Sequence, residues 1–206
     1  PDAIESLCCS TPWTSKGYSS GRDIMASRVI SSVREALQSD GVVVVSDGAS
    51  CSEGFAHIFE DAGVPYRTED AVSFVHRAVL PLLGEFAPIV DSLVLHPTCS
   101  STQMGLDTAL RALAATVARS VTVPDAWGCC GFAGDRGMLH PELTESATAA
   151  EAAEVRSLAA DAHASCNRTC EIGMSRATGR NYQHILELVE EASRSALARE
   201  AVHDQE

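Results

Sequence analysis

The chain has 206 residues, enough to bury a real core in one domain or two small ones. With 45% apolar and 21% charged residues, its composition is that of an ordinary soluble globular protein. A formal charge of −13 argues against a nucleic-acid partner, which needs Lys and Arg in excess, and no run approaches the ~18–20 apolar residues of a transmembrane segment.

Ile24, Met25, Val29, Ile30, Val33 and Leu37 lie on one face of a helix expected over 20–38, with Ser20 and Asp23 as a capping box and Gly41 beyond its end. The β-branched run 42–45 predicts a strand buried on both faces of a parallel sheet. It leads into Asp47-Gly48-Ala49-Ser50-Cys51, which puts Cys51 past a strand's carboxyl end, where α/β sheets place their sites. A short helix over 52–62 closes at Gly63, and another covers 71–83 with Pro81 as a breaker near its end.

Residues 92–95 predict the next buried strand, with His96-Pro97-Thr98-Cys99 at its carboxyl end. A helix over 101–119 leads to a short strand, 121–123. The stretch from Gly128 to Gly137 contains four glycines around Cys129-Cys130 and reads as a tight, backbone-rich loop. Pro141 suits the first turn of a helix reaching Ala160, and a last helix over 182–198 turns Ile185, Leu188 and Val189 inward. Strands alternating with helices predict an α/β fold with a mainly parallel sheet.

A Cys-Cys pair occurs twice, each time with a lone cysteine some forty residues on: Cys8-Cys9 with Cys51, and Cys129-Cys130 with Cys170. Residues 92–171 read strand–Cys, helix, Cys-Cys loop, helix, strand–Cys, and residues 7–54 repeat that order without its first strand–Cys. Glu53-Gly54 after Cys51 echoes Glu171-Ile172-Gly173 after Cys170. Two pseudo-repeated βα halves are therefore expected, 1–90 and 91–206, with cysteine sites at strand carboxyl ends. The first half reads as truncated, with its missing cysteine upstream of Pro1 in a longer parent protein. Pro1-Asp2-Ala3-Ile4-Glu5 has neither Met nor an export signal, so the eight cysteines are expected to be reduced thiols in the cytoplasm.

Adjacent thiols bridge each other only with strain and turn more readily to a metal or redox partner. Thiolates are the ligands of structural zinc and of iron–sulfur clusters. Here they arrive from separate strand ends and one doublet, as expected when a fold converges them on a larger object. A cluster and a strained zinc site use the same residues, so both stay open.

Cys99, then Cys129-Cys130-Gly131, then Cys170 resembles the cysteine-rich CCG domain. That domain occurs in heterodisulfide reductase B subunits, in iron–sulfur subunits of glycolate oxidase and anaerobic glycerol-3-phosphate dehydrogenase, and in FAD-linked D-lactate-dehydrogenase-like oxidoreductases. His96-Pro97-Thr98-Cys99-Ser100, the stretch from Gly128 to Gly137, the stretch from Asn167 to Gly173, and Leu7-Cys8-Cys9 with Pro12-Trp13 are similar to the carboxyl-terminal part of the last group. Two positions differ: Asn167 stands where the family's terminal C-x-x-C begins, and Ser10 follows Cys9 in place of Gly.

The resemblance implies a [4Fe–4S]-type cluster, or zinc, held by Cys99, Cys129, Cys130 and Cys170, with Cys8, Cys9 and Cys51 binding a cofactor in the first half. It implies an FAD domain earlier in the same polypeptide that oxidises a 2-hydroxy acid of the D-lactate or glycolate type. It also implies an electron acceptor (a quinone, cytochrome or redox protein), with membrane association only through such a partner. No catalytic residue is expected in this chain by itself. The competing class is a structural or docking module whose cysteines bind zinc or nothing.

Blander readings cover the remaining residues. Cys166 reads as packing or a spare ligand, and His96 and His140 as satisfied histidines or as ligands or hydrogen-bond donors at the site. Asp135-Arg136 reads as an ion pair inside the loop, Trp13 and Trp127 as walls against water, and Glu187, Glu190 and Glu191 as a solvated helix face.

Overall fold

In a computed structural model, which describes residues 7–36, 43–84 and 86–203, two parallel sheets carry the fold. The larger contains β3 (Val90–Leu95), β4 (Ala118–Thr122), β5 (Ala162–Ser165) and β6 (Tyr182–His184) in the order β4-β3-β5-β6. The smaller pairs β1 (Val43–Ser46) with β2 (Arg67–Asp70), Val43 opposite Arg67. Every pairing is parallel, so the chain is mixed α/β, and the parallel strands bring their carboxyl ends to one edge of each sheet. Leu37, Gln38, Gly41 and Val42 of the sequence reading lie outside the described residues.

In the first part of the chain, α1 (Thr11–Thr14), α2 (Ser19–Ala36) and α3 (Ala49–Asp61) surround the small sheet. Then α4 (Ala71–Phe74) runs into a wide π turn, Val75–Val79, before α5 (Leu80–Leu83). Pro81 lacks an N–H, and its ring collides with the carbonyl four residues back in a regular helix; the widened turn just before it absorbs that conflict.

The single helix expected over 101–119 is two, α6 (Cys99–Gln103) and α7 (Asp107–Val117). Gly105 between them takes φ +70°, the left-handed conformation that ends helices. Ala118 is already extended, so β4 follows α7 without a turn. Next come α8 (Arg136–Leu139), α9 (Pro141–Ser157), α10 (Arg168–Thr178) and α11 (Ile185–His203).

The core shows the two-residue period of a doubly covered strand. Leu93 and Leu95 of β3 pack with Leu110, Leu113 and Val117 of α7 and with Ile185 and Leu188 of α11. Val94, between them, faces Val155 of α9 and Met174 of α10 on the other side. The large sheet is thus buried on both faces.

The small sheet is not. Val29, Val33, Ile58 and Phe59 of α2 and α3 cover the face that carries Val44. Val43 and Val45 on the opposite face are 38% and 43% exposed. The β-branched run therefore forms a strand buried on one face, because among the described residues β1 has only β2 beside it.

Candidate metal centre

Three cysteines sit where a helix begins after a strand. Cys51 is in the first turn of α3 after β1, Cys99 opens α6 after β3, and Cys170 is in the first turn of α10 after β5. Thr98 secures the second of these in a capping box: its Oγ1 accepts from the Ser101 N–H at 3.0 Å, and its own N–H donates to Ser101 Oγ at 2.9 Å.

The Cys129-Cys130 doublet splits between two partners. The exposed Cys129 lies 3.9 Å sulfur to sulfur from Cys99, and the buried Cys130 lies 2.8 Å from Cys170. Gly131 makes the split possible with φ +68°, and a Cβ there would stand 2.8 Å from the Cβ of Ala147 on α9. In the first half Cys9 lies 3.2 Å from Cys51, and Ser10, in the place of Gly131, adopts φ 69° despite its side chain.

Each sulfur pair holds one readily lost proton. A shared S–H···S contact stabilises the mono-anion, lowering Cys130 to about 5, and Cys9 and Cys129 each to about 6. Cys170, Cys51 and Cys99 are pushed up, because each is the partner that keeps the proton. Each pair is thus disposed to give up a proton and offer a thiolate, the state that metals bind.

Behind the sulfurs sits His96, at 0% exposure. One of its ring nitrogens lies with Cys130 Sγ and Cys170 Sγ inside a group whose ligand atoms are all within 4.8 Å of one another. Burial alone would push the imidazole down, but Cys130 and Glu151 beside it raise it to about 9. Trp127 is tied to the residue next to His96, its Nε1 donating to Pro97 O at 2.6 Å, and it does not line the cavity beside the sulfurs.

Asn167 connects the start of α3 with Cys170. It accepts from Ser50 Oγ at 3.2 Å, next to Cys51, and its Nδ2 donates to Cys170 Sγ at 3.8 Å. A cavity of about 570 Å³ is lined by Cys9 from the first half and by Cys99, Cys129, Cys130 and Cys170 from the second.

The ion-pair expectation for the glycine loop is corrected. Asp135 and Arg136 are not paired with each other. Asp135 binds Lys16 at 2.6 Å, and Arg136 donates to Ser15 O, so the glycine loop is clamped across to the first half. The lone lysine thus has a structural partner. His140 is exposed, its Nδ1 3.2 Å from Glu142 Oε1, and it does not line the cavity. Cys166 is buried in the main core with Leu95 and Ile185, and burial pushes its thiol up to about 11. Cys8 is half-buried, pushed up by burial, and does not line the cavity.

The donor set fits a thiolate-bound metal. Cys130 and Cys170 are almost wholly buried, and His96 Nε2 finds no hydrogen-bonding partner among the described residues. Two thiolates on one tetrahedral zinc stand about 3.8 Å apart, given a Zn–S bond of about 2.3 Å; the Cys99–Cys129 distance of 3.9 Å matches this, whereas Cys130 and Cys170, at 2.8 Å, would move apart by about 1 Å to share one ion. No curated protein matches this chain. Residues 93–175, from within β3 into α10 and including all four of these cysteines, match the family described as the cysteine-rich domain, CCG.

Proposed function

We propose that the chain is the thiolate-bound electron-transfer module of an FAD-linked 2-hydroxy-acid oxidoreductase of the D-lactate or glycolate type. One observation carries this reading. Cys99, Cys129, Cys130 and Cys170 come from three separate parts of the chain to line one cavity, with a thiol disposed to give up its proton in each pair. A [4Fe–4S]-type cluster held there would supply one-electron chemistry. The residues around it would hold the sulfurs in place, keep water from Cys130 and Cys170, and leave Cys99 and Cys129 facing solvent.

The halves 1–90 and 91–206 are pseudo-repeats in this reading, and Cys8, Cys9 and Cys51 belong to a second centre. The support is the matching geometry of Cys9–Cys51 and Cys130–Cys170, together with the shared left-handed residue after each doublet. The flavin domain lies elsewhere in the same polypeptide, and electrons leave to a quinone, cytochrome or redox protein in the cytoplasm or at the membrane. Among the described residues no helix is long and apolar enough to cross a membrane.

A zinc site with a docking role is the second reading. It is favoured by the nitrogen donor of His96 beside Cys130 and Cys170. Metal analysis with an absorption spectrum of anaerobically purified protein separates the two. Iron and sulfide in equal amounts with a broad visible band support the cluster; stoichiometric zinc with no visible band supports the docking module and overturns the electron-transfer reading.

A further inference from the structure

Glu151, on α9, is 2% exposed, and among the described residues its salt-bridge partner is His96, with no arginine or lysine within that distance. A buried charge is costly unless it is paired and hydrogen-bonded, so such a group persists where its partners hold it. Its Oε1 lies 2.7 Å from His96 Nδ1. Its Oε2 accepts from the Gly128 N–H at 3.4 Å, at the entry to the Cys129-Cys130 loop. One side chain thus touches both the residue behind the sulfurs and the loop that carries two of them.

With Nδ1 engaged by Glu151, the His96 nitrogen left for the sulfur group is Nε2, which has no hydrogen-bond partner among the described residues. A carboxylate accepting the Nδ1–H selects the tautomer whose Nε2 carries a lone pair, fixes the ring plane and raises the basicity of that nitrogen. We propose that Glu151 is the positioning residue that makes His96 Nε2 a nitrogen ligand beside Cys130 and Cys170 for a bound divalent metal ion. The inference rests on the second reading, in which this site holds a single divalent ion rather than a cluster, and adds to its cysteine set a nitrogen donor and the carboxylate that aims it. No electron changes hands in this step: the incoming ion displaces the protons of the thiols and any proton on Nε2, and these pass to buffer.

The test uses the whole 206-residue chain, reduced and metal-free, titrated anaerobically with Co(II) and then with Zn(II) against a chelator. The wild type should develop a sulfur-to-cobalt charge-transfer band and ligand-field bands of mixed nitrogen and sulfur ligation. Glu151→Gln should weaken affinity by about 10- to 100-fold and shift the ligand-field bands, the size of effect that outer partners of ligands carry. Cys130→Ser should lose the band. If the wild type takes up no Co(II), the single-ion reading fails and the inference with it, while the cluster reading is decided by the iron and sulfide analysis. If the wild type and Glu151→Gln bind with equal affinity and identical spectra, the positioning role is overturned while the single-ion reading stands. Should Glu151→Gln fail to fold by circular dichroism, His96→Ala with added imidazole decides. Return of the ligand-field bands with imidazole supports the nitrogen ligand, and unchanged spectra overturn it.

Discussion

Cys130 stands to Cys170 as Cys9 stands to Cys51. In each case the second thiol of a doublet meets a cysteine in the first turn of a helix that follows a parallel strand, at 2.8 Å and 3.2 Å. The residue after each doublet is left-handed, Gly131 at φ +68° and Ser10 at 69°. The two doublets therefore share a backbone requirement that only one of them meets with glycine.

That difference is measurable in the metal-free protein. A left-handed non-glycine residue costs about 1–2 kcal/mol, and a glycine replacing it returns part of that as chain entropy. Ser10 also buries a hydroxyl with no partner among the described residues. Ser10→Gly should stabilise the protein by about 1 kcal/mol, a rise of about 2–4 °C in Tm. Gly131→Ala should cost more than about 1 kcal/mol, because the new methyl group also runs into α9. Thermal denaturation followed by circular dichroism checks both signs, and a stabilising Gly131→Ala would contradict the loop geometry.

The thiols should differ in reactivity. Cys129 is exposed and lowered to about 6, whereas Cys166 is buried and raised to about 11. At pH 7 iodoacetamide should alkylate Cys129 among the first residues and Cys166, like the buried Cys170, among the last, since the thiolate is the nucleophile. Labelling of Cys129 should fall as the pH drops below about 6, where its thiolate takes up a proton. Peptide mass spectrometry over a pH series reads both. Early labelling of Cys166 would place it outside the core.

A second pH effect lies away from the sulfurs. His163 on β5 is 5% exposed, tilted against the ring of Tyr182, and its Nε2 has no partner among the described residues. Burial lowers its pKa below the ordinary value. The unfolded chain then binds this proton more readily than the folded one, so stability present above about pH 6.5 is lost as pH falls toward the depressed folded value. His163→Gln should flatten that part of the stability profile, as measured by urea unfolding between pH 7.5 and 5, both pH values within about 1.5 of the ordinary histidine pKa. A slope equal to that of the wild type would assign the acid loss to other groups.

On the proposed function, Cys129→Ser and Cys130→Ser in the full-length flavoprotein that this reading calls for should slow electron delivery to the acceptor while leaving flavin reduction by the hydroxy acid unchanged. The expected slowing is at least about tenfold, since even outer partners of metal ligands carry effects of that size. Rapid-mixing absorbance follows the two steps separately. Equal slowing of both, or of neither, would favour the docking reading.

Much of this was legible locally. The buried period of β3, the helix faces at Val29 and Val33 and at Ile185 and Leu188, and the doublets with their distant partners are patterns within short windows. They determine where strands, helices and thiols fall, because side-chain periodicity and ligand chemistry are properties of neighbouring residues. The short strands β2, β5 and β6, with sequences such as Arg-Thr-Glu-Asp and Tyr-Gln-His, carry no apolar run and exist through their parallel neighbours.

Only the tertiary structure decided which residues complete the centre. Glu151 reaches His96 across 55 residues, and Asp135 reaches Lys16 across 119. Such pairings leave no periodic trace, since they depend on how the sheet edges and α9 pack in space. The same packing buries Cys166 while leaving Cys129 open, and it leaves Val43 and Val45 exposed in a run whose composition alone predicts burial.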